Sequence, residues 1–247
     1  MLDANVGSGR SNEEKMITVA AILLHYWKQR TDNVKRVIED LKRGTRPPDK
    51  IIVFNNNKDV VFPPIPDVIV INSTHNYHCL MRHAMGLVAG TDLCLFVDDD
   101  ITLQVNGLAY LLQQHGSYPK AIIGFEGRKL GKDKRNPYTS GTRVHHVSRP
   151  TPVDIVMGRV HLCHVNKLVN SFVMRSKMGN FSDDSVGSYS TDDILLSLSN
   201  RILNRAQNYV VPSKAIELSE RGVGYHGTDK QHYPRRDAAC RKLLGYG

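Results

Sequence analysis

Residues 93–103 read LCLFVDDDITL. Five apolar residues run straight into Asp98, Asp99 and Asp100. A short, continuous apolar run bounded by polar residues is the pattern of a strand buried on both faces. Three adjacent carboxylates repel one another. At a strand end, where the dielectric is low, that repulsion is severe unless a cation or hydrogen-bond donors compensate. Successive strand side chains alternate in direction, so Asp98 and Asp100 are expected on one side and Asp99 on the other. Ligands of open α/β sheets sit outside the carboxyl ends of strands. A hard divalent cation, Mg²⁺ or Mn²⁺, suits carboxylate oxygens there, with phosphates completing its shell. The plainer reading is an acidic turn capping the next helix, but a cap needs one aspartate and not three.

Outward from this stretch, apolar runs at 17–24 (ITVAAILL), 50–54 (KIIVF), 67–71 (DVIVI) and 121–125 (AIIGF) read as further strands. Between them lie helical periods. Thr31 or Asp32 can cap a helix with an apolar face of Val34, Val37, Ile38 and Leu41, ended by Gly44 and Pro47-Pro48. Asn76 can cap another, with Leu80, Ala84, Leu87 and Val88 inward and Gly90 closing it. A third carries Val105, Leu108, Leu111 and Leu112. Strands alternating with helices predict an α/β fold: a single domain with a mostly parallel sheet flanked by helices. The alternation weakens after Phe125. Residues 126–149 are polar and basic and read as a long loop. A strand is expected at 153–160, a helix at 166–174, and a helix at 192–204 capped by Thr191. The tail from Ser219, with Gly222, Gly224, Gly227 and Pro234, reads as mobile.

The chain has 247 residues, 40% hydrophobic, 23% charged and 7% aromatic. That excludes collagen, a long coiled coil and wholesale disorder. No apolar run approaches the ~20 residues of a membrane helix, so no membrane span is expected. Residues 1–15 have no signal-peptide pattern and are expected to form a flexible leader. The four cysteines form no C-x-x-C pair, which suggests reduced thiols and a cytoplasmic location, or the host-cell cytoplasm for a viral chain. Lys and Arg outnumber Asp and Glu by 33 to 24, a net charge of +9 that favours anionic partners.

Asp192-Asp193 open a predicted helix, where carboxylates are stabilised by backbone amides even without a function. Gly222 to Gly227 matches G-x-G-x-x-G, but no βαβ unit follows it, so a dinucleotide site is rejected. His161 and His164 sit in an apolar segment with no second ligand pair and read as core.

Taken in order, Arg30-Thr31-Asp32, KIIVFNNN, LFVDDDITL, AIIGFEGRKL, STDDILLSL and GVGYHG resemble the GT-A nucleotide-sugar glycosyltransferases. The likeness is to the exostosin-like retaining enzymes and spans about residues 16–245. It implies a nucleotide-sugar-binding half at 16–125. Residues 126–247 would form an acceptor-binding and catalytic half of the same domain. It implies that Asp100 binds the metal and that Asp98 and Asp99 touch ribose and sugar. Asn55 or Asn56 would face a uracil-like base, with Tyr26 and Arg30 in the same pocket. Asn76 and Arg82 would lie near base and phosphate. Asp193, supported by Asp192, would flank the anomeric carbon. Arg235 or Arg236 would approach the leaving diphosphate. The donor implied is a UDP-sugar.

The 126–149 segment carries seven Lys and Arg against Glu126 and Asp133. Arg128, Lys129, Lys132 and Lys134 are therefore candidates to bind an anionic acceptor, either hydroxyl-modified DNA or an acidic glycan. Two other functions compete. Asp98 to Thr102 fits the D-x-D-x-T of haloacid-dehalogenase-like phosphatases, with Asp98 as nucleophile, although three strands precede it. The basic charge alone would suit a non-catalytic nucleic-acid-binding module.

Overall fold

A strand with no polar face can be buried only between two helical layers, and the apolar runs of this chain are arranged in that way. The computed structural model describes residues 16–178, 191–218 and 229–246. The leader, the GVGYHG motif and the first part of the tail lie outside the described residues.

The first half alternates as expected: β1 (Val19–His25), α1 (Thr31–Arg43), β2 (Lys50–Asn55), β3 (Ile69–Asn72), α2 (Met81–Val88) and β4 (Leu93–Val97). The second half holds β5 (Ile101–Leu103), α3 (Gly107–Ser117), β6 (Ile123–Gly124), β7 (Gly127–Lys129), β8 (Thr142–Val144), β9 (Thr151–Val153) and β10 (Ile155–Val156). It continues with β11 (Val160–His164), α4 (Asn166–Ser176), α5 (Asp192–Ile202), β12 (Asn208–Val210), β13 (Ala215–Glu217) and α6 (His232–Leu244). Among the described residues, eight strands form the central sheet in the order β3-β2-β1-β4-β11-β6-β12-β9. Its first four strands are mutually parallel. β11 runs antiparallel to both β4 and β6, and β12 is parallel to β6.

Strand periodicity divides the core into two layers. Leu93, Leu95 and Val97 of β4 pack with Val34, Val37, Ile38 and Leu41 of α1. Cys94 and Phe96 pack on the opposite face with Met85 of α2 and Leu168 of α4. His161 is buried in β11 and stacks on Phe96 at 4.7 Å.

Several sequence expectations are corrected. In α2 the expected inward face holds only in part: Leu80 and Ala84 pack against the core, but Leu87 and Val88 are exposed, Val88 at 73%, while Arg82, His83, Met85 and Gly86 are buried. Arg82 is drawn inward by two carboxylates, and Gly86 lets α4 approach, since a Cβ there would lie 2.5 Å from Leu168. Asn76 does not cap α2; its Oδ1 accepts from the His78 amide at 2.9 Å in a local turn. The 126–149 loop contains β7 and β8, which pair antiparallel. The strand expected at 153–160 is three pieces, β9, β10 and the start of β11. The tail holds the 13-residue α6. Its Pro234 sits in the first helical turn, where an amide would have no intrahelical partner in any case.

Candidate active site

β2 and β3 lie on one side of β1, and β4 lies on the other. This reversal leaves a crevice at the carboxyl ends of β1 and β4, where ligands of such sheets bind. A cleft of about 620 Å³ opens there, a volume suited to a small-molecule site. Tyr26, Trp27 and Arg30 enter it after β1, and Asn56 after β2. Asp98, Asp99 and Asp100 enter after β4. Asp192, Asp193 and Arg236 reach it from α5 and α6.

The alternation of β4 decides the partners of the first two aspartates. Asp98 continues toward the α2 layer and meets Arg82 Nη1 at 2.9 Å. Asp99 points toward the α1 layer and pairs with Arg30. The chain then turns, so Asp100 does not return to the side of Asp98. It shares Arg30 with Asp99, at 3.4 Å, and meets Arg159 at 3.3 Å. Asp98 and Asp100 on one side was the expectation, and the turn after Asp98 overrides it.

Burial pushes the Asp98 carboxyl up to about 7, against the opposing pull of Arg82 and with the help of Asp100 and Asp99. Burial likewise raises Asp99 to about 6, with Arg30 pulling the other way. Three adjacent carboxylates at the end of β4, two of them buried, make an all-oxygen donor set that fits a hard divalent cation. Among the described residues no group of three or more His, Cys, Asp or Glu is gathered as a ready cage. An ion would therefore be held by one or two carboxylates together with ligand oxygens.

At the same cleft, Arg236 donates from Nη2 to Asp193 Oδ2 at 2.6 Å, both side chains being 5% exposed. Asp192 lies 3.1 Å from Arg82 Nε. Arg82 also donates to the Gly158 carbonyl at 2.9 Å. One guanidinium therefore joins the end of β4, the turn before β11 and the start of α5.

Other candidates fall elsewhere. Asn55 is fully buried and does not line the cleft. Its amide binds Asn72 Oδ1 at 2.8 Å, and its Oδ1 meets His25 Nδ1 at 2.8 Å, so it joins three strands. Asn56 and Tyr26 line both the cleft and an adjoining recess of about 300 Å³ that also includes Asn76. Arg235 pairs with Asp229 at 2.7 Å and does not line the cleft, because adjacent helical residues diverge by about 100°. Lys129, Lys132 and Lys134 are exposed and do not line it either; Lys134 lies over Tyr246 at 5.6 Å. Arg128 does line it, half-buried, and donates to the carbonyls of Tyr138 and Gly141. Thr102, the end of the phosphatase-like match, is fully buried and away from the cleft.

Sequence reasoning missed Arg143 and Arg159. Arg159 binds Glu126 at 2.8 Å and Glu217 at 2.6 Å as well as Asp100. Its partners are 33 to 59 residues away, and no local motif marks it.

No protein-family model matches the sequence, and no curated protein matches it. Solved structures do match. One is GalNAc-T7, a GT-A fold glycosyltransferase crystallised with UDP, GalNAc and Mn²⁺. It is 11% identical with a TM-score of 0.57; the match covers 84% of this chain and 45% of that one. The chain thus spans less than half the length of this neighbour. At such identity the likeness speaks to architecture, and the protein has a GT-A-like α/β fold.

Proposed function

We propose that the protein is a metal-dependent glycosyltransferase, similar to the exostosin-like retaining enzymes, that moves a sugar from a UDP-sugar to an acceptor hydroxyl. The observation that carries this reading is the gathering of two groups at one cleft: Asp98, Asp99 and Asp100 at the carboxyl end of β4, and the Asp193–Arg236 pair, with Arg82 joining Asp98 to Asp192.

The reaction breaks the bond between the anomeric carbon and a phosphate oxygen and forms one to the acceptor oxygen. Negative charge builds on the departing diphosphate, and positive charge builds on the sugar ring. Arg236 is the group suited to the first charge and Asp193 to the second. Asp192 supports Asp193 from the preceding position. In a retaining pathway the acceptor proton passes to the departing phosphate oxygen. Asp100 would hold Mn²⁺ or Mg²⁺, which when bound adds Lewis-acid stabilisation of the diphosphate. Asp98 and Asp99 would contact ribose and sugar, with Arg30 and Arg82 fixing their carboxylates. Tyr26, Asn56 and Asn76 border the recess suited to the base. Arg128, with Arg143 beside it at the cleft, supports an anionic acceptor, either DNA with hydroxylated bases or an acidic glycan. The four free cysteines support a reducing compartment such as the cytoplasm.

A ligand that binds the native state raises its melting temperature. UDP and UDP-sugars should raise Tm by several degrees with Mn²⁺ present and not with EDTA, and Asp100→Ala should lose the shift. Asp193→Asn should keep the shift and lower transfer at least about 100-fold. A wild-type Tm unmoved by every nucleotide sugar at millimolar concentration with Mn²⁺ would reject this reading.

A further inference from the structure

Arg236 is long and mobile by nature, yet it is 4% exposed and must present its guanidinium in one orientation. Asp193 holds one end of the fork, and the Tyr138 ring lies against the guanidinium, its centroid 4.4 Å from the Arg236 Cζ. Arg128 lies over the same ring at 4.4 Å. Tyr138 is 1% exposed and does not line the cleft.

The backbone of Tyr138 is held in turn by the residue next to Arg236. Asp237 Oδ1 accepts from the amides of Tyr138 at 2.7 Å and Thr139 at 3.0 Å. Its Oδ2 accepts from the Thr139 hydroxyl at 2.7 Å. Asp237 is 3% exposed. Consecutive helical residues diverge by about 100°, so α6 sends Arg236 toward α5 and Asp237 toward the segment between β7 and β8. The contacts close a loop: Arg236 to Tyr138 by the ring, Tyr138 to Asp237 by the amide, and Asp237 to Arg236 by the helix.

We propose that Tyr138 and Asp237 are positioning residues that aim Arg236 at the charge developing on the donor diphosphate, coupling α6 to the acceptor-side segment. The proposal rests on the glycosyltransferase reading for its chemistry and not for its geometry.

Tyr138→Leu should lower kcat at least tenfold while leaving the Kd for UDP with Mn²⁺ within twofold. Tyr138→Phe, which keeps the ring, should stay within threefold of wild type. Asp237→Asn, which perturbs the clamp from the other side, should lower kcat in the same way as Tyr138→Leu. In an Arg236→Gln background, Tyr138→Leu should cost no more than a further twofold, because a residue acting through another adds nothing once that partner is gone. A fully additive loss would make Tyr138 a packing residue only and overturn the proposal. A second readout needs no turnover. The Arg236 Nε–H signal in ¹⁵N-arginine NMR, assigned by its loss in Arg236→Gln, should exchange at least tenfold faster in Tyr138→Leu and remain unchanged in Tyr138→Phe. An unchanged exchange rate in a folded Tyr138→Leu or Asp237→Asn protein overturns the positioning role. If the wild type consumes no nucleotide sugar, the proposed function fails while this measurement still decides whether Tyr138 orients Arg236.

Discussion

The two halves of the central sheet are held together by different chemistry. From β1 to β4, strands of four to seven residues carry long parallel ladders, and the two faces of β1 and β4 are closed by aliphatic layers. Beyond β4 the strands of this sheet have two to five residues. There, buried polar side chains do the joining. Asn208, fully buried, donates to the carbonyls of Asp154 and Ser197 and accepts from Asn200 at 2.8 Å. Asp154 accepts from the Leu130 amide at 2.6 Å. Asp237 clamps residues 138 and 139. A short ladder offers few backbone bonds, so side chains from distant positions complete the count.

This contrast can be broken from either end. The largest stability loss is expected in the aliphatic half. Leu95→Ala empties a site buried between β1 and β11 and should cost about 3 kcal/mol, or roughly 6–12 °C in Tm. A smaller loss is expected from Asn208→Ala, which strands two carbonyls and an amide; about 2 kcal/mol, or roughly 4–8 °C, is the expected drop. Equal tolerance of Asn208→Ala and Asn208→Leu, with no fall in Tm, would remove the polar network as the fastening of the second half.

A gentler probe is pH. The Asp98 and Asp99 carboxyls bind protons more tightly in the folded chain than in the unfolded one. Their contribution is therefore fully present below about pH 4 and is lost as pH rises toward 7. Burial lowers His83 to about 3 and lowers His161 as well, and these act in the opposite sense. The difference between wild type and Asp98→Asn isolates the carboxyl. In EDTA, the wild type should lose stability relative to Asp98→Asn between pH 4.5 and 7.5, and Mn²⁺ should reduce that loss. Parallel Tm profiles would contradict the raised Asp98 carboxyl. The smallest effect belongs to Val88→Lys, within about 0.5 kcal/mol, because the side chain is 73% exposed.

The same contrast explains what could be read in advance. The apolar face Val34, Val37, Ile38 and Leu41 is buried as its spacing implied, since a 3.6-residue period records burial locally. The α2 face departs from its period at Leu87 and Val88, because the period counts Arg82 as polar and outward, whereas two carboxylates hold it inside. The helical tail was missed because Gly and Pro suggested loop, and Pro234 is harmless in a first turn. At the cleft, the aspartate triplet, Arg30 and Asp193 come together from motifs that are visible in one dimension, and they are joined by Arg82 and Arg236, which lie in no such motif. Asn55 lies outside because its amide is consumed by strand joining. Arg159, Tyr138 and Asp237 left no sign, since each matters through a partner far along the chain.

β1 runs two residues past β4, with Leu23 opposite Val97, and the Asp98 amide donates to the Arg159 carbonyl at 2.8 Å. Whether Asp98 and Asp99 meet Arg82 or Arg30 is a matter of odd or even count from Leu93, an alternation that the turn ends before Asp100. Deleting a single residue from this strand would exchange the two assignments at once, leaving composition almost untouched while scrambling the wiring of the crevice.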